Sequence, residues 1–372
     1  MSPYLPPATA AVRSAVRTQL TSQLVQGTLQ PGDLVLVACS GGPDSLALAA
    51  ATAFVAPRAG LRAGAVNVHH GLQPGSGQVS RAAISQCRDL GLQPAWVQEV
   101  DDDVSGPVSG PEGYARRLRY AALERAAASS GAVAVLLGHT LDDQAETVLL
   151  ALGRGSGARA MAGMAPVREQ YLRPLLGITR EQTVTACTEA DLHAWHDPTN
   201  QPQGPWRSAA GDPLPRSLVR SEVLPALRRA LGPGVPQALA RTAELARADA
   251  DLLEELAADL LAGARVNDHD QGATAVVLDA AALAKAPAAL RTRALRAGAL
   301  AAGSPAGSLK YDHVAGLDRL LLEYRGQGPI ALPGPVWAGR RCGTLVLSVD
   351  RQWGATPTQH TADRHQLREQ ER

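Results

Sequence analysis

The sequence predicts an α/β fold, a parallel twisted sheet with helices on both faces, followed by a helical region. Two observations carry this. Short, apolar, β-branched runs alternate with segments of helical length, the pattern of a parallel sheet. The ends of three of those runs carry polar clusters, at 40–45, 67–70 and 139–146. In such sheets ligands bind beyond the carboxyl ends of the strands, so the three clusters should converge.

Residues 11–26 read as a helix that stops at Gly27. "DLVLVACS" is a buried strand, and "SLALAAATAFVA" a helix. "RAGAVNVHH" and "VSRAAISQCRDLG" repeat the pair, as do "PAWVQEV" and "EGYARRLRYAALERAAASSG". "AVAVLLGH" is the fourth strand, and "LDDQAETVLLALGRG" its helix. Near residue 200 the texture changes. "DPTNQPQGPWRSAAGDPLPRS" is a Pro- and Gly-rich loop, and 218–262 is Ala/Leu-rich and helical. The final stretch, 351–372, is polar and expected to fray.

Bulk composition bounds the function classes. The 372 residues suggest two or three domains, and the net charge of +1 gives no overall signature of a polyanion binder. Basic character is local, in spans 207–247 and 285–341, and is almost all arginine, since Lys285 and Lys310 are the only lysines. Cys39, Cys87, Cys187 and Cys342 lie far apart without a Cys-x-x-Cys, which argues against a structural zinc and a disulfide framework. No apolar run approaches a membrane span, and the N-terminus lacks a secretory h-region, so a cytoplasmic protein with no membrane partner is expected.

The turn "SGGPDS", Ser40 to Ser45, sits between strand and helix. Such a turn presents backbone N–H groups and a helix dipole to an anion. It lacks the Lys of a Walker loop and carries Asp44, which makes sense beside phosphates if it holds Mg²⁺. In the helix after the fourth strand, Asp142, Asp143 and Glu146 lie in the first turns, with the last two on one face.

These residues resemble the SGGxDS signature of the PP-loop (N-type) ATP pyrophosphatases, whose fold is adenine nucleotide alpha hydrolase-like. "NVHHGL", "EGYARRLRY", "GHTLDDQAETVLLALGRGSGARAMAGM", "RPLLGITR", "WHDPTN" and "RSLVRSEVLPAL" resemble, in order, segments of the tRNA(Ile)-lysidine synthetases. "HVAGLDRLLLEYRGQGPIALPG" resembles their small C-terminal α+β domain. The resemblance covers about residues 33–347. It implies a catalytic domain over 1–222, a helical linker and tRNA-binding domain over 223–300, a small C-terminal portion over 301–350, and a tail from 351 to 372.

The resemblance further implies a ligase that adenylates the wobble cytidine of a CAU-anticodon tRNA(Ile) with ATP and Mg²⁺, then joins free L-lysine to it. Asp44 and Asp143 would hold the metal. Ser40, Gly41, Gly42, Pro43, Asp44, Ser45, His70, Arg116 and His139 would bind the nucleotide. Glu146, Arg216 and Arg220 would meet lysine and tRNA, and Asp44, Asp143, Glu146 and Arg220 would carry the catalysis. A homodimer is compatible with the sequence, which leaves oligomeric state open.

The chain departs from the family pattern at Asn67, Gln73, Thr140 and Ser217, and the stretch 201–214 is long. The last domain of longer members is expected to be absent. Two rival readings remain. One is a PP-loop tRNA thiolase, which would need reactive cysteines. The other is an inactive nucleotide-gated tRNA binder, which would be expected to have lost the carboxylates.

Overall fold

The computed structural model describes residues 5–69, 71, 75–100, 110–155, 157–197, 204, 207, 211–266 and 275–349. His70, Gln73, most of the 201–214 stretch and the tail lie outside the described residues. By internal contacts the chain divides into two compact units, Met1–Arg247 and Ala248–Arg372.

The first unit opens with α1 (Pro7–Val25), started by a proline in its first turn, where the missing N–H costs nothing. β1 (Leu34–Ala38), α2 (Pro43–Arg58), β2 (Arg62–His69), α3 (Ser76–Asp89), β3 (Ala95–Glu99), α4 (Gly110–Ser130), β4 (Ala132–Leu137) and α5 (Leu141–Gly153) follow. Every strand and helix read from the sequence in this stretch is present. A short helix α6 (Ala158–Met161), a hairpin of β5 (Val167–Arg168) and β6 (Tyr171–Leu172), and α7 (Arg180–Glu189) complete the sheet region. The two-residue strands are too short for a periodic signal, and the sequence reading did not include them.

The sheet has the order β3-β2-β1-β4-β6-β5, parallel except for the β5–β6 pair. Burial alternates along β1. Val35 and Val37 pack with Val12, Val16, Leu20, Leu46 and Val55 of α1 and α2. Leu34 and Leu36 pack on the other face with Leu123 and Ala126 of α4. A strand buried on both faces reads as the continuous apolar run seen in the sequence. Thr9 fastens α1 to α7, its N and Oγ1 donating to Glu189 Oε2 at 2.8 and 2.7 Å.

The chain walks outward from β1 to β3 and then returns to place β4 on the other side of β1. That reversal is a topological switch point, and the crevice beyond it is where open α/β sheets bind ligands. The turn after β1 and the start of α5 after β4 both open into it.

After the loop come α8 (Pro215–Leu218), a π-helical turn (Val219–Val223), α9 (Leu224–Leu231) and α10 (Val235–Ala264). The expected helical region is therefore helical, interrupted at Gly232 to Gly234. The division between the two units falls within α10.

The second unit contains β7 (Val276–Asp279), α11 (Ala280–Lys285), α12 (Ala288–Ala301), α13 (Tyr311–Leu322), β8 (Ile330–Ala331), β9 (Trp337–Arg341) and β10 (Thr344–Ser348). Its antiparallel sheet, ordered β7-β10-β9-β8, is covered by a core of Leu278, Leu283, Leu295, Leu317, Leu320, Leu345 and Leu347. Asp279 caps α11 by accepting from Ala281 N and Ala282 N. Among the described residues, no helix is long and apolar enough to cross a membrane.

Candidate active site

The turn after β1 is built to bring backbone close to a ligand. Gly41 has φ +87°, and a Cβ there would lie 3.2 Å from Ala83 Cβ, so both conformation and space call for glycine. Trp195 N donates to Gly41 O at 2.9 Å, holding the turn from outside. Pro43 occupies the first turn of α2, and among the described residues no side chain caps its N-terminus. The N–H groups at that end are thus available to an anion. Ser45 is buried and donates to Gly42 O at 2.9 Å, so it braces the turn; Ser40, 3.2 Å away, is the exposed hydroxyl. Asn67, a departure from the family pattern, fastens β2 to the turn by donating from Nδ2 to Cys39 O at 2.7 Å.

Gly138 closes β4 onto this turn. A Cβ at 138 would sit 3.1 Å from the backbone carbonyl of Asp44, so only a bare backbone lets β4 approach the first turn of α2. That approach brings the α5 carboxylates alongside Asp44.

Asp143 is the hub. Its Oδ2 accepts from Thr140 N and Oγ1 at 2.9 and 3.0 Å, the capping arrangement of α5. The departure at Thr140 therefore supplies a donor. Its Oδ1 faces three guanidinium groups, Nη2 of Arg180, Arg216 and Arg220, at 3.1, 3.2 and 3.3 Å. Glu146, 0% exposed, accepts from Arg220 Nε at 2.6 Å on Oε1, and from Arg216 Nε and Arg220 Nη2 at 2.8 and 2.9 Å on Oε2. Arg220 lies in the π-helical turn, a distortion often found at functional sites. Asp44 accepts from Thr183 Oγ1 on one oxygen and has Arg180 Nε 3.5 Å from the other. Arg180 thus bridges Asp44 and Asp143. Asp142 holds the same arginine by its backbone, accepting from Arg180 N at 2.8 Å, and pairs with Arg228 at 2.7 Å.

The two candidate metal carboxylates are tuned in opposite directions. Burial pushes Asp44 up, with Arg180 and Thr183 only partly opposing it. Burial also acts on Asp143, but Arg216, Arg180 and the Thr140 N–H outweigh it and hold the carboxyl well below the usual carboxylate range. Among the described residues no group of three or more His, Cys, Asp or Glu could hold a metal. The pair Asp44 and Asp143 nevertheless fits Mg²⁺. Both are hard oxygen donors drawn to one shared cation, here a guanidinium, and Mg²⁺ is ordinarily held by one or two carboxylates with phosphate oxygens and water.

His139 stands at the junction of β4 and α5, its Nδ1 buried without a hydrogen-bond partner among the described residues. Burial pushes its pKa down to about 3, helped by Arg173, Arg216 and Arg116 and opposed by Asp143. It is therefore neutral at physiological pH. A lowered histidine binds protons more readily in the unfolded chain, so stability should fall as pH drops from about 6.5 toward 3. Urea unfolding across that range should show a shallower acid limb in His139→Asn than in the wild type.

Arg116 is exposed on α4, its guanidinium 4.9 Å from the Tyr120 ring centroid, and no described ion pair joins it to the carboxylates. Arg180 and Thr183, both in the cluster, were assigned no role from the sequence. One signal was available. A basic residue at the first position of a helix opposes the helix dipole, and α7 begins at Arg180, directly after the N-cap Thr179 of the Thr179–Gln182 capping box. Such a residue implies an acid nearby.

The comparisons with known proteins agree with this geometry. Residues 13–227 match the PP-loop domain family. The tRNA(Ile)-lysidine synthase of Thermobifida fusca is 51% identical over 346 residues, covering 93% of this chain and 99% of that protein. That of Streptomyces coelicolor is 46% identical over 371 residues, covering 93% and 99%. Among solved structures, the U34-tRNA thiolase NcsA from Methanococcus maripaludis aligns with TM-score 0.51 at 18% identity, over 64% of this chain and 80% of that one, a likeness of fold. Cys39, Cys87 and Cys187 are buried here, and Cys342 is exposed. With its loop, its carboxylates and relatives this similar along nearly the whole length, the chain belongs to the PP-loop family and, within it, to the tRNA(Ile)-lysidine synthases.

Proposed function

We propose that this protein is a C–N bond-forming ligase that makes lysidine at the wobble cytidine of a CAU-anticodon tRNA(Ile), using ATP and free L-lysine in the cytoplasm. The observation that carries this reading is the meeting, at one switch point, of an anion-binding turn and a buried carboxylate–arginine cluster. One half suits a polyphosphate and the other a cationic amine and a nucleic acid. The near-full-length similarity to tRNA(Ile)-lysidine synthases supports the choice of substrates.

The chemistry has two steps. The C2 carbonyl oxygen of cytidine attacks the α-phosphorus of ATP, and pyrophosphate leaves. The lysine ε-nitrogen then attacks C2, the C2–O bond breaks, AMP leaves and the amine proton passes to an acceptor. Adenylation is needed because a carbonyl oxygen leaves poorly and a phosphate ester leaves readily. The N–H groups of the Gly41–Gly42 turn and the start of α2 bind the phosphates and stabilise the charge developing on them. Asp44 and Asp143 would hold Mg²⁺, which would supply charge neutralisation for a leaving polyphosphate.

Arg216 and Arg220 offer planar forks to the tRNA backbone or the target base, which must leave the anticodon stack to react. Glu146 lies beneath both arginines, so lysine's ammonium reaches it only when one guanidinium turns away. In the free protein its duty is to hold those two arginines. The arginines of 207–247 and 285–341 would supply phosphate contacts. The thiolase reading has less support: Cys39, Cys87 and Cys187 are buried, and burial raises Cys187 to about 12.

Incubation with tRNA transcripts, ATP, Mg²⁺ and labelled lysine tests this. A CAU tRNA(Ile) should gain label with release of pyrophosphate and AMP, and a CAU tRNA(Met) should not. Absence of label with ATP turnover intact would overturn the assignment.

A further inference from the structure

Arg180 makes contacts that the two-step reaction does not use. Its guanidinium lies between Asp44 and Asp143, with Nε 3.5 Å from Asp44 Oδ2 and Nη2 3.1 Å from Asp143 Oδ1. Its own backbone N–H is pinned by Asp142 Oδ2 at 2.8 Å, so the root of the side chain is fixed, while the side chain as a whole is 30% exposed. The contact to Asp44 is the longer of the two, and Asp143 Oδ1 already has Arg216 and Arg220 at 3.2 and 3.3 Å. Formal charge balances in the cluster: Asp44, Asp143 and Glu146 face Arg180, Arg216 and Arg220. A divalent cation entering alone would meet a neutral cluster and a guanidinium already in its place. A cation entering with a polyphosphate brings anions to which that guanidinium can turn.

We propose that Arg180 is a built-in counter-cation that holds the Asp44–Asp143 pair in the free enzyme and moves to the phosphate chain when a metal–nucleotide complex arrives. It is a positioning residue that makes metal binding depend on nucleotide. Arg216 and Arg220 differ, because they are tied into Glu146 by three hydrogen bonds, whereas Arg180 has no contact with Glu146 among those described. A fork matters for reaching two carboxylates and later a phosphate. Charge alone matters for excluding the metal.

The proposal rests on the reading of Asp44 and Asp143 as metal ligands, and the test separates the two. Mn²⁺ binding to the full-length protein is followed by electron paramagnetic resonance, with and without a non-hydrolysable ATP analogue. The variants are Arg180→Gln, Arg180→Lys and Asp44→Asn, each checked for folding by thermal unfolding.

In the wild type, Mn²⁺ should bind weakly alone and at least tenfold more tightly with the analogue. Arg180→Gln should bind Mn²⁺ alone about tenfold more tightly than the wild type and lose most of the dependence on nucleotide. Arg180→Lys, which keeps the charge and guards against a folding artefact, should remain as weak as the wild type. If Arg180→Gln and wild type bind nucleotide-free Mn²⁺ within twofold of each other, the proposal is overturned. If Asp44→Asn leaves Mn²⁺ binding unchanged with nucleotide present, the metal-ligand reading fails instead, and this proposal falls with it.

Discussion

Pyrophosphate release by Asp44→Asn is expected to be slower than in the wild type by about 10²–10³-fold, the range seen when one group stabilising transition-state charge is removed. The amide keeps an oxygen to accept from Thr183 Oγ1, so the loop's anchor to α7 survives while the charge is lost. The same change should leave the thermal midpoint unchanged or higher. Burial pushes the Asp44 carboxyl above its ordinary value. Between those two values the folded state holds the extra proton, so stability falls as pH rises through that window. At neutral pH the ionised side chain is therefore a burden on the fold that the asparagine removes. Single-turnover pyrophosphate release beside thermal unfolding checks both halves. A lowered midpoint would mean that the Arg180 pairing supports the fold, and an unchanged rate would remove Asp44 from the chemistry.

Glu146→Gln should lower the unfolding free energy by about 2 kcal/mol and stop lysine transfer. Breaking a buried ion pair leaves an uncompensated charge and ordinarily costs about 3–5 kcal/mol. Arg216 and Arg220 are 27% and 24% exposed and keep Asp143 as a partner, so water and the remaining carboxylate screen part of that loss. The cost should be coupled. In a double-mutant cycle with Arg220→Gln, the pair should be less destabilised than the sum of the singles, because the orphaned charge is gone. Urea denaturation reads both. Strict additivity would mean that the contacts at 2.6 and 2.9 Å contribute nothing as a pair.

Much of the site was legible before any coordinates. The continuous apolar run 34–38 reads as a strand buried on both faces and Ser40 to Ser45 as a turn into a helix, and both are present. The polar clusters at the ends of β1 and β4 were expected to converge, and Arg180 touches both Asp44 and Asp143. Other features had no local signature. Ser45 reads as a phosphate donor in sequence yet spends its hydroxyl on Gly42 O. The resemblance assigns Glu146 to lysine's ammonium, and only the structure adds that two arginines some seventy positions later in the chain cover it. The hairpin of β5 and β6 was too short to leave a period.

Strand and helix are decided by neighbours a few positions apart, so hydrophobic spacing and turn residues were enough to give the four longer parallel strands and the helices that follow them. Which donor lies against which carboxylate is decided by packing between segments 37 to 139 positions apart. No spacing rule encodes that. The bare backbone at Gly138, the pinned start of α7 and the π-helical turn at Arg220 bring those side chains within hydrogen-bond reach, and only the folded chain shows that they do.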